Sequence, residues 1–304
     1  MYDIVVIGAG AAGMTAALYA LRNGKTVLVL EGESLDGQIA TSPRLENFPS
    51  IKEISGEQFA DNLLDQITAL GAEIEIDRVV GIEKIGGIFK VKTEYGEFEG
   101  RSVIIAAGVK HKHLRTKSNR DDLVGKGVYY CAICDGAFYK GREVMVIGDA
   151  NTALQYALLL SGYCSKVYVY TLFDRFFGDG RLIKALHAKE NIEWVPNVSV
   201  CDFIGDKELT GVEYKDKDGN VKIHEIPAVF VAIGQVPDNK VFANLVDIDK
   251  EGYIISGEDC KTKTEGLFVA GDCRTKAVRQ VATACADGAI AATNASIYLE
   301  SLDA

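Results

Sequence analysis

Positive charge is scarce in this chain: 33 lysines and arginines stand against 43 aspartates and glutamates, a formal net charge of −10. A nucleic-acid surface or a docking face for anionic membrane needs a dominant positive field, so neither is expected among its partners. No uncharged apolar run is long enough to span a bilayer, and the opening Met1-Tyr2-Asp3-Ile4-Val5-Val6-Ile7-Gly8 lacks the basic and apolar regions of a secretory signal. A cytoplasmic location is therefore expected. A second Cys-x-x-Cys is also missing, and no histidine pair stands at finger-like spacing, so no metal is expected. The cysteines number seven, and Cys164, Cys201, Cys260, Cys273 and Cys285 are scattered singly, which excludes the framework of a secreted disulfide scaffold.

What the chain does contain is an ample apolar fraction. It has 304 residues, 48% of them hydrophobic, enough for about two domains with cores of their own. Its one close cysteine pair lies in Cys131-Ala132-Ile133-Cys134-Asp135-Gly136, just ahead of a nucleotide-binding-like strand and loop, Val144 to Ala150. Two thiols at this spacing can close a small disulfide ring, and beside a redox cofactor such a ring takes up two electrons and hands them on. A structural zinc half-site and two buried thiols are the plainer alternatives.

The first thirty residues carry a second signal. The β-branched run Tyr2 to Ile7 leads into Gly8-Ala9-Gly10-Ala11-Ala12-Gly13, then a helical stretch, Met14 to Asn23, and a strand, Lys25 to Leu30, ending at Glu31. Gly8 permits the tight turn, Gly10 lets the backbone approach a pyrophosphate, and Gly13 lets the helix pack closely on the strand. Glu31 is placed to accept hydrogen bonds from a ribose and disfavours a 2′-phosphate, so an NAD-like ligand or FAD is expected there; spacing alone does not separate the two.

Val103 to Gly108 and Val229 to Gly234 repeat one pattern, an apolar strand ending in glycine, and close two similar α/β units. Between them stands a second βαβ unit: strand Val144 to Ile147, loop Gly148 to Asn151, helix Thr152 to Ser161 and strand Lys166 to Tyr170. Gly266 to Asp272 reads as a strand running into a Gly-Asp turn, and an alanine-rich helix, about Ala277 to Leu299, follows. The fold expected is α/β, with two Rossmann-like, three-layer ββα dinucleotide-binding domains, one inserted in the other. Residues 1–115 and 243–304 would form one discontinuous domain, and 116–242 an inserted one carrying the redox pair.

Together, the glycine fingerprint, the Cys-Ala-x-Cys-Asp-Gly loop, the Gly-x-x-Asn-Thr-Ala loop, Gly271-Asp272 and Arg279-Gln280-Val281-Ala282-Thr283-Ala284 resemble low-molecular-weight thioredoxin reductases over essentially the whole chain. The resemblance implies a homodimeric flavoprotein that reduces thioredoxin, with 1–115 and 243–304 as its FAD-binding domain and 116–242 as an NADPH-binding-like domain. It implies FAD contacts from Gly8, Gly10, Gly13, Glu31, Gln38, Asn47, Asp272, Arg279 and Gln280. It also implies that Cys134 faces the flavin, that Cys131 attacks the partner disulfide, and that Asp135 is the general acid. The plainer alternative for Asp135 is a helix N-cap or a turn residue.

The chain departs from that family at one place. Members that use NADPH carry a Gly-Gly-Gly-Asn-Thr-Ala type loop and a His-Arg-Arg-x-x-x-Arg cluster for the 2′-phosphate. Here Asp149 and Ala150 replace two of the glycines, and Leu172, Phe173 and Phe177 stand where the arginines belong, with Arg175 offset. Each lost guanidinium–phosphate contact removes a few kcal/mol. An NADH preference would excuse the missing arginines but not Asp149. The pattern resembles the ferredoxin-linked flavin thioredoxin reductases, which implies reduced ferredoxin as the donor. An ordinary NAD(P)H-dependent thioredoxin reductase, a reductase or oxidase for small-molecule disulfides or dithiols, and a non-catalytic flavin redox sensor are the alternatives. The basic run Lys110, His111, Lys112, His113, Arg115, Lys117 and Arg120 is either a docking face for an acidic ferredoxin or thioredoxin or a solvated linker. Phe173, Phe176 and Phe177 form either a partner-facing patch or part of the inserted core.

Overall fold

A computed structural model describes residues 1–32, 35, 37–41, 45, 47–112, 114–130 and 132–303, with backbone only for Thr41, His111, Ile133, Cys134 and Gln235. The chain divides into two compact units, Met1–Lys110 with Val236–Ala304, and His111–Gln235. In the first, the β-branched N-terminal run forms β1 (Tyr2–Ile7), the glycine turn opens α1 (Ala11–Arg22), and β2 (Val27–Glu31) pairs with β1 in parallel. A 3-10 turn, Gly37–Thr41, is followed by α2 (Gly56–Ala69), whose start is capped by Ser55: its hydroxyl accepts from the Gln58 N–H at 3.1 Å. Next come β3 (Glu73–Ile76) and an antiparallel meander, β4 (Val79–Ile85), β5 (Ile88–Thr93) and β6 (Glu97–Ile105), before β7 (Lys110–His111).

The second unit runs β8 (Val128–Tyr129), α3 (Ala132–Asp135), β9 (Glu143–Ile147), α4 (Asn151–Ser161), β10 (Lys166–Tyr170), α5 (Gly180–His187) and β11 (Ile192–Val195). A meander, β12 (Ser199–Gly205), β13 (Leu209–Lys215) and β14 (Val221–Glu225), precedes β15 (Val229–Val231). After β16 (Gln235–Val236) the chain rejoins the first unit through β17 (Leu267–Val269) and the long α6 (Val281–Asp303). The first sheet is ordered β3-β2-β1-β6-β5-β4, with β17 on β6, and the second is a parallel β11-β10-β9-β15-β8.

Both units use their central strands alike. In β1, Ile4 and Val6 face the helix side, with Met14, Ala16 and Ala291, while Val5 and Ile7 face the opposite core with Ile82, Phe89 and Phe242. In β9, Val144 and Val146 pack with α4, and Met145 and Ile147 pack toward Phe203 and Val212 of the meander. Period-two strands buried on both faces give three layers. Small residues let α1 and α6 approach closely: a Cβ at Gly288 would stand 2.2 Å from the Ala12 carbonyl oxygen.

The crossings at 110/111 and 235/236 lie ahead of the 115/116 and 242/243 boundaries read from sequence. Residues 236–242 belong with the first unit because Asn239 Nδ2 donates to the carbonyls of Gly252 (2.9 Å) and Cys273 (2.8 Å), and Phe242 fills the core beside Val5 and Ile254. α6 starts at Val281, later than the Ala277 that its alanine content suggests. Among the described residues no helix is long and apolar enough to cross a membrane.

Candidate redox and dinucleotide site

The first turn has the backbone its glycines predict. Gly8 has φ +108°, and a Cβ there would lie 2.3 Å from the Ala106 carbonyl oxygen. A Cβ at Gly13 would stand 1.8 Å from the Gly8 carbonyl oxygen, whereas one at Gly10 would meet nothing within 4 Å. Gly8 and Gly13 are thus required by the fold itself, and Gly10 leaves open space before the N-terminus of α1. Glu31, at the end of β2, accepts from the Ala9 N–H at 2.8 Å. The 3-10 turn at Gly37 closes on the same place, since a Cβ there would be 2.7 Å from Gly10 Cα. Gln38, in that turn, donates through Nε2 to the Val109 carbonyl.

The Gly271-Asp272 turn approaches α1 as well: a Cβ at Gly271 would fall 2.8 Å from Ala12 Cβ. Asp272 Oδ1 is buried with no hydrogen-bond partner among the described residues, and burial raises its carboxyl above the ordinary range. An orphaned buried carboxylate oxygen calls for a ligand hydroxyl. Arg279 Nε reaches the Asp272 carbonyl at 3.5 Å and its guanidinium lies 4.0 Å over the Tyr253 ring. Asn47 Nδ2 donates to Gln280 Oε1 at 2.9 Å. An open Gly10, the orphaned Asp272 oxygen and these polar side chains suit a dinucleotide cofactor.

Sequence reasoning missed what supports this turn. Asp287, on α6, accepts from the Gly271 N–H (3.0 Å), from Arg274 Nε (2.9 Å) and Nη2 (2.8 Å), and from Lys276 Nζ (2.8 Å). Burial alone would raise the Asp287 carboxyl, but Arg274 and Lys276 hold it below the usual range. The signal was present as Arg274, Lys276 and Asp287 flanking a Gly-Asp turn, but only folding α6 back reveals their contact. Asn239, which bonds the Cys273 carbonyl, was missed for the same reason.

In the second unit Cys131 lies outside the described residues, as does the side chain of Cys134, whose backbone is in α3. Asp135 ends that short helix. It makes no side-chain capping bond, and burial raises its carboxyl, the direction a general acid needs. Phe138, in the turn that follows, is exposed. The single cysteines Cys164, Cys260 and Cys273 are buried, and burial pushes their thiols up to about 11, 12 and 12, which suits packing and not exchange.

The second glycine turn differs from the first. Gly148 keeps the tight backbone, φ +148°, with its would-be Cβ 2.2 Å from the Ala232 carbonyl oxygen. At the N-cap of α4, however, stands Ala150, extended like Gly10 but with a methyl group. The Phe177 N–H donates to the Asp149 carbonyl at 2.7 Å, and Asn151 Oδ1 accepts from the Asp179 N–H at 2.6 Å, so residues 177–179 fold onto the turn. Leu172, Phe173 and Phe177 are 57%, 48% and 50% exposed. Phe173 and Phe177 meet edge to face at 5.5 Å, and the Arg175 guanidinium lies 4.7 Å over the Phe177 ring. Phe176 instead packs on Trp194 at 4.9 Å. Of the basic run, Lys117 pairs with Glu213 and Arg120 with Asp122 (2.8 Å), which uses up part of its charge within its own unit; His113 lies outside the described residues.

Residues 2–288 match the family model of the pyridine nucleotide-disulphide oxidoreductases. The thioredoxin reductase of Listeria monocytogenes is 37% identical over 99% of this chain and 95% of its own length. The crystal structure of Lactococcus lactis thioredoxin reductase superposes with a TM-score of 0.96 at 32% identity, covering 99% of this chain and 100% of that one. A ferredoxin-flavin thioredoxin reductase from Clostridium acetobutylicum matches at 28% identity and a TM-score of 0.55, covering 99% and 98%. Members of this family and thioredoxin reductases are FAD-binding flavoproteins, which agrees with the open Gly10 turn and the orphaned Asp272 oxygen. The chain belongs to the pyridine nucleotide-disulphide oxidoreductase family and, within it, to the flavoprotein thioredoxin reductases.

Proposed function

We propose that this enzyme reduces thioredoxin with electrons drawn from reduced ferredoxin instead of a pyridine nucleotide. One observation carries the donor reading: the second glycine turn, where a nucleotide pyrophosphate would dock, bears Asp149 and the Ala150 methyl, is folded over by residues 177–179, and presents Leu172, Phe173 and Phe177 where phosphate needs guanidinium groups. The likeness to the Clostridium acetobutylicum protein supports the same donor.

FAD, when bound, supplies a carrier that takes electrons singly and passes them on in pairs. Gly8, Gly10, Gly13, Glu31, Gln38, Asn47, Asp272, Arg279 and Gln280 hold it. The Cys131–Cys134 disulfide receives two electrons and opens. The Cys131 thiolate then attacks a sulfur of the thioredoxin disulfide, and the departing thiolate takes a proton from Asp135. Attack by Cys134 on the mixed disulfide recloses the ring and expels the second thioredoxin thiolate, which takes a proton from solvent, so thioredoxin leaves as the dithiol. The exposed Phe138 beside the redox loop supplies apolar surface for thioredoxin. A homodimer assembled through the flavin unit and a cytoplasmic location complete the reading.

The test follows the flavin spectrum anaerobically, with thioredoxin as acceptor, while NADPH, NADH or chemically reduced ferredoxin is added. Bleaching and thioredoxin reduction are expected with ferredoxin alone; rapid reduction by NADPH or NADH overturns the donor assignment and leaves a nicotinamide-dependent thioredoxin reductase. Sedimentation of the flavoprotein reads the dimer.

A further inference from the structure

The redox loop rests on one face of α4. Tyr156, Leu160 and Tyr163 recur at i, i+4 and i+7, so they share a side of that helix and its last turn. Tyr156 is only 3% exposed, and its hydroxyl donates to the Tyr130 carbonyl at 2.9 Å, in the residue immediately before Cys131. On the far side of the pair, a Cβ at Gly136 would stand 2.7 Å from Leu160 Cδ2 and 2.3 Å from Tyr163 Oη. One helix face therefore holds the loop at both ends, with Ala132 fully buried in the same cluster. Leu160 and Tyr163 grip by shape. Tyr156 alone grips by a directed bond.

We propose that Tyr156 is a positioning residue that sets the redox poise of the Cys131–Cys134 couple by fixing the Tyr130 peptide through its hydroxyl. A disulfide closes only when its two Cα atoms lie within a narrow range of separations, so a loop held in place keeps the thiols at high effective concentration. Releasing the Tyr130 carbonyl widens the loop's motion and disfavours the ring, which shifts the couple toward dithiol. Burial pushes the phenol up to about 12, so it stays protonated and donates throughout the working range.

This inference rests on the two cysteines being the redox pair, but not on the electron donor. The experiment equilibrates the flavoprotein in dithiothreitol buffers of graded ratio and counts free Cys131 and Cys134 by alkylation and mass spectrometry. Tyr156→Phe is expected to shift the disulfide–dithiol equilibrium about tenfold toward dithiol, a potential about 30 mV higher. Leu186→Ala, which opens a cavity in the same cluster from α5 and leaves the loop's contacts in place, is expected to lower the melting temperature without moving the equilibrium. An unmoved equilibrium in Tyr156→Phe overturns the proposal, and so does an equal shift in Leu186→Ala, which would make the shift a consequence of lost stability alone. Absence of any two-electron couple at these cysteines overturns it together with the redox assignment.

Discussion

The two glycine turns come from one design and have diverged at their mouths. Both keep the glycine that the backbone requires, Gly8 against Ala106 and Gly148 against Ala232, at nearly equal distances. They differ where a ligand would come in. Gly10 faces open space and Asp272 Oδ1 nearby lacks a partner among the described residues, whereas Ala150 adds a methyl group and residues 177–179 cover the turn. The glycines that build a Rossmann turn therefore report the fold, and the glycine at the helix N-cap together with the charges around it report the ligand.

The comparison breaks most severely at Gly13, because its missing side chain is required by the turn that the ligand site is built on. Gly13→Ala places a methyl group into the Gly8 carbonyl and is expected to cost about 3 kcal/mol or more, with loss of bound flavin, read by thermal melting and by the 450 nm absorbance. Gly10→Ala meets no atom of the described residues within 4 Å and separates the two roles: apoprotein stability stays unchanged while flavin affinity falls about tenfold or more, since the methyl stands where a pyrophosphate would pass.

Support for the first turn is tested at Asp287. Asp287→Asn leaves Arg274 and Lys276 buried without their anion and is expected to destabilise the protein by about 3 kcal/mol. Because the folded-state carboxyl is held below its free value of 3.8, its contribution is present above that pH and is lost as pH falls through the folded pKa. The gap in urea stability between wild type and variant should accordingly be full at pH 7 and shrink below about pH 4.

The opposite experiment rebuilds the second turn. Asp149→Gly and Ala150→Gly with Leu172→Arg and Phe177→Arg restore the cradle and two cationic groups, each worth about 1.5–3 kcal/mol to a phosphate. Flavin reduction by NADPH is expected to rise at least about a hundredfold, measured by stopped flow. No gain would place the block elsewhere than in this turn.

These contrasts also show what the sequence made legible. Both turns, the central strands and the Gly-Asp motif were readable because a tight turn, a two-face-buried strand and a short apolar run each leave a local trace. The meander of the second unit left none: four of the five residues of β14 are exposed, and β12 is interrupted by bulges at Val200/Asp202 and Ile204/Gly205, so neither shows clean alternation. Asp287 and Tyr156 were illegible for a different reason. Each reads as an ordinary helix residue until the fold sets it against a loop distant in sequence, the Gly271 N–H in one case and the Tyr130 carbonyl in the other.

The smallest effect is expected at Arg175, the basic residue that stands offset among Leu172, Phe173 and Phe177. Its guanidinium lies on the exposed Phe177 ring, a contact worth about 0.5 kcal/mol, and the ring itself belongs to the segment that folds over Asp149. If Arg175 only braces that segment, Arg175→Ala shifts the unfolding midpoint slightly and changes no rate with NADPH or ferredoxin. If it is the remnant of a phosphate clamp, the same substitution lowers any residual NADPH-driven flavin reduction about tenfold, because a charged contact to phosphate carries more than a cation–π pair. Stopped-flow reduction by both donors, beside the urea midpoint, separates these outcomes, and a rate loss confined to NADPH would return the second turn to the same class as the first.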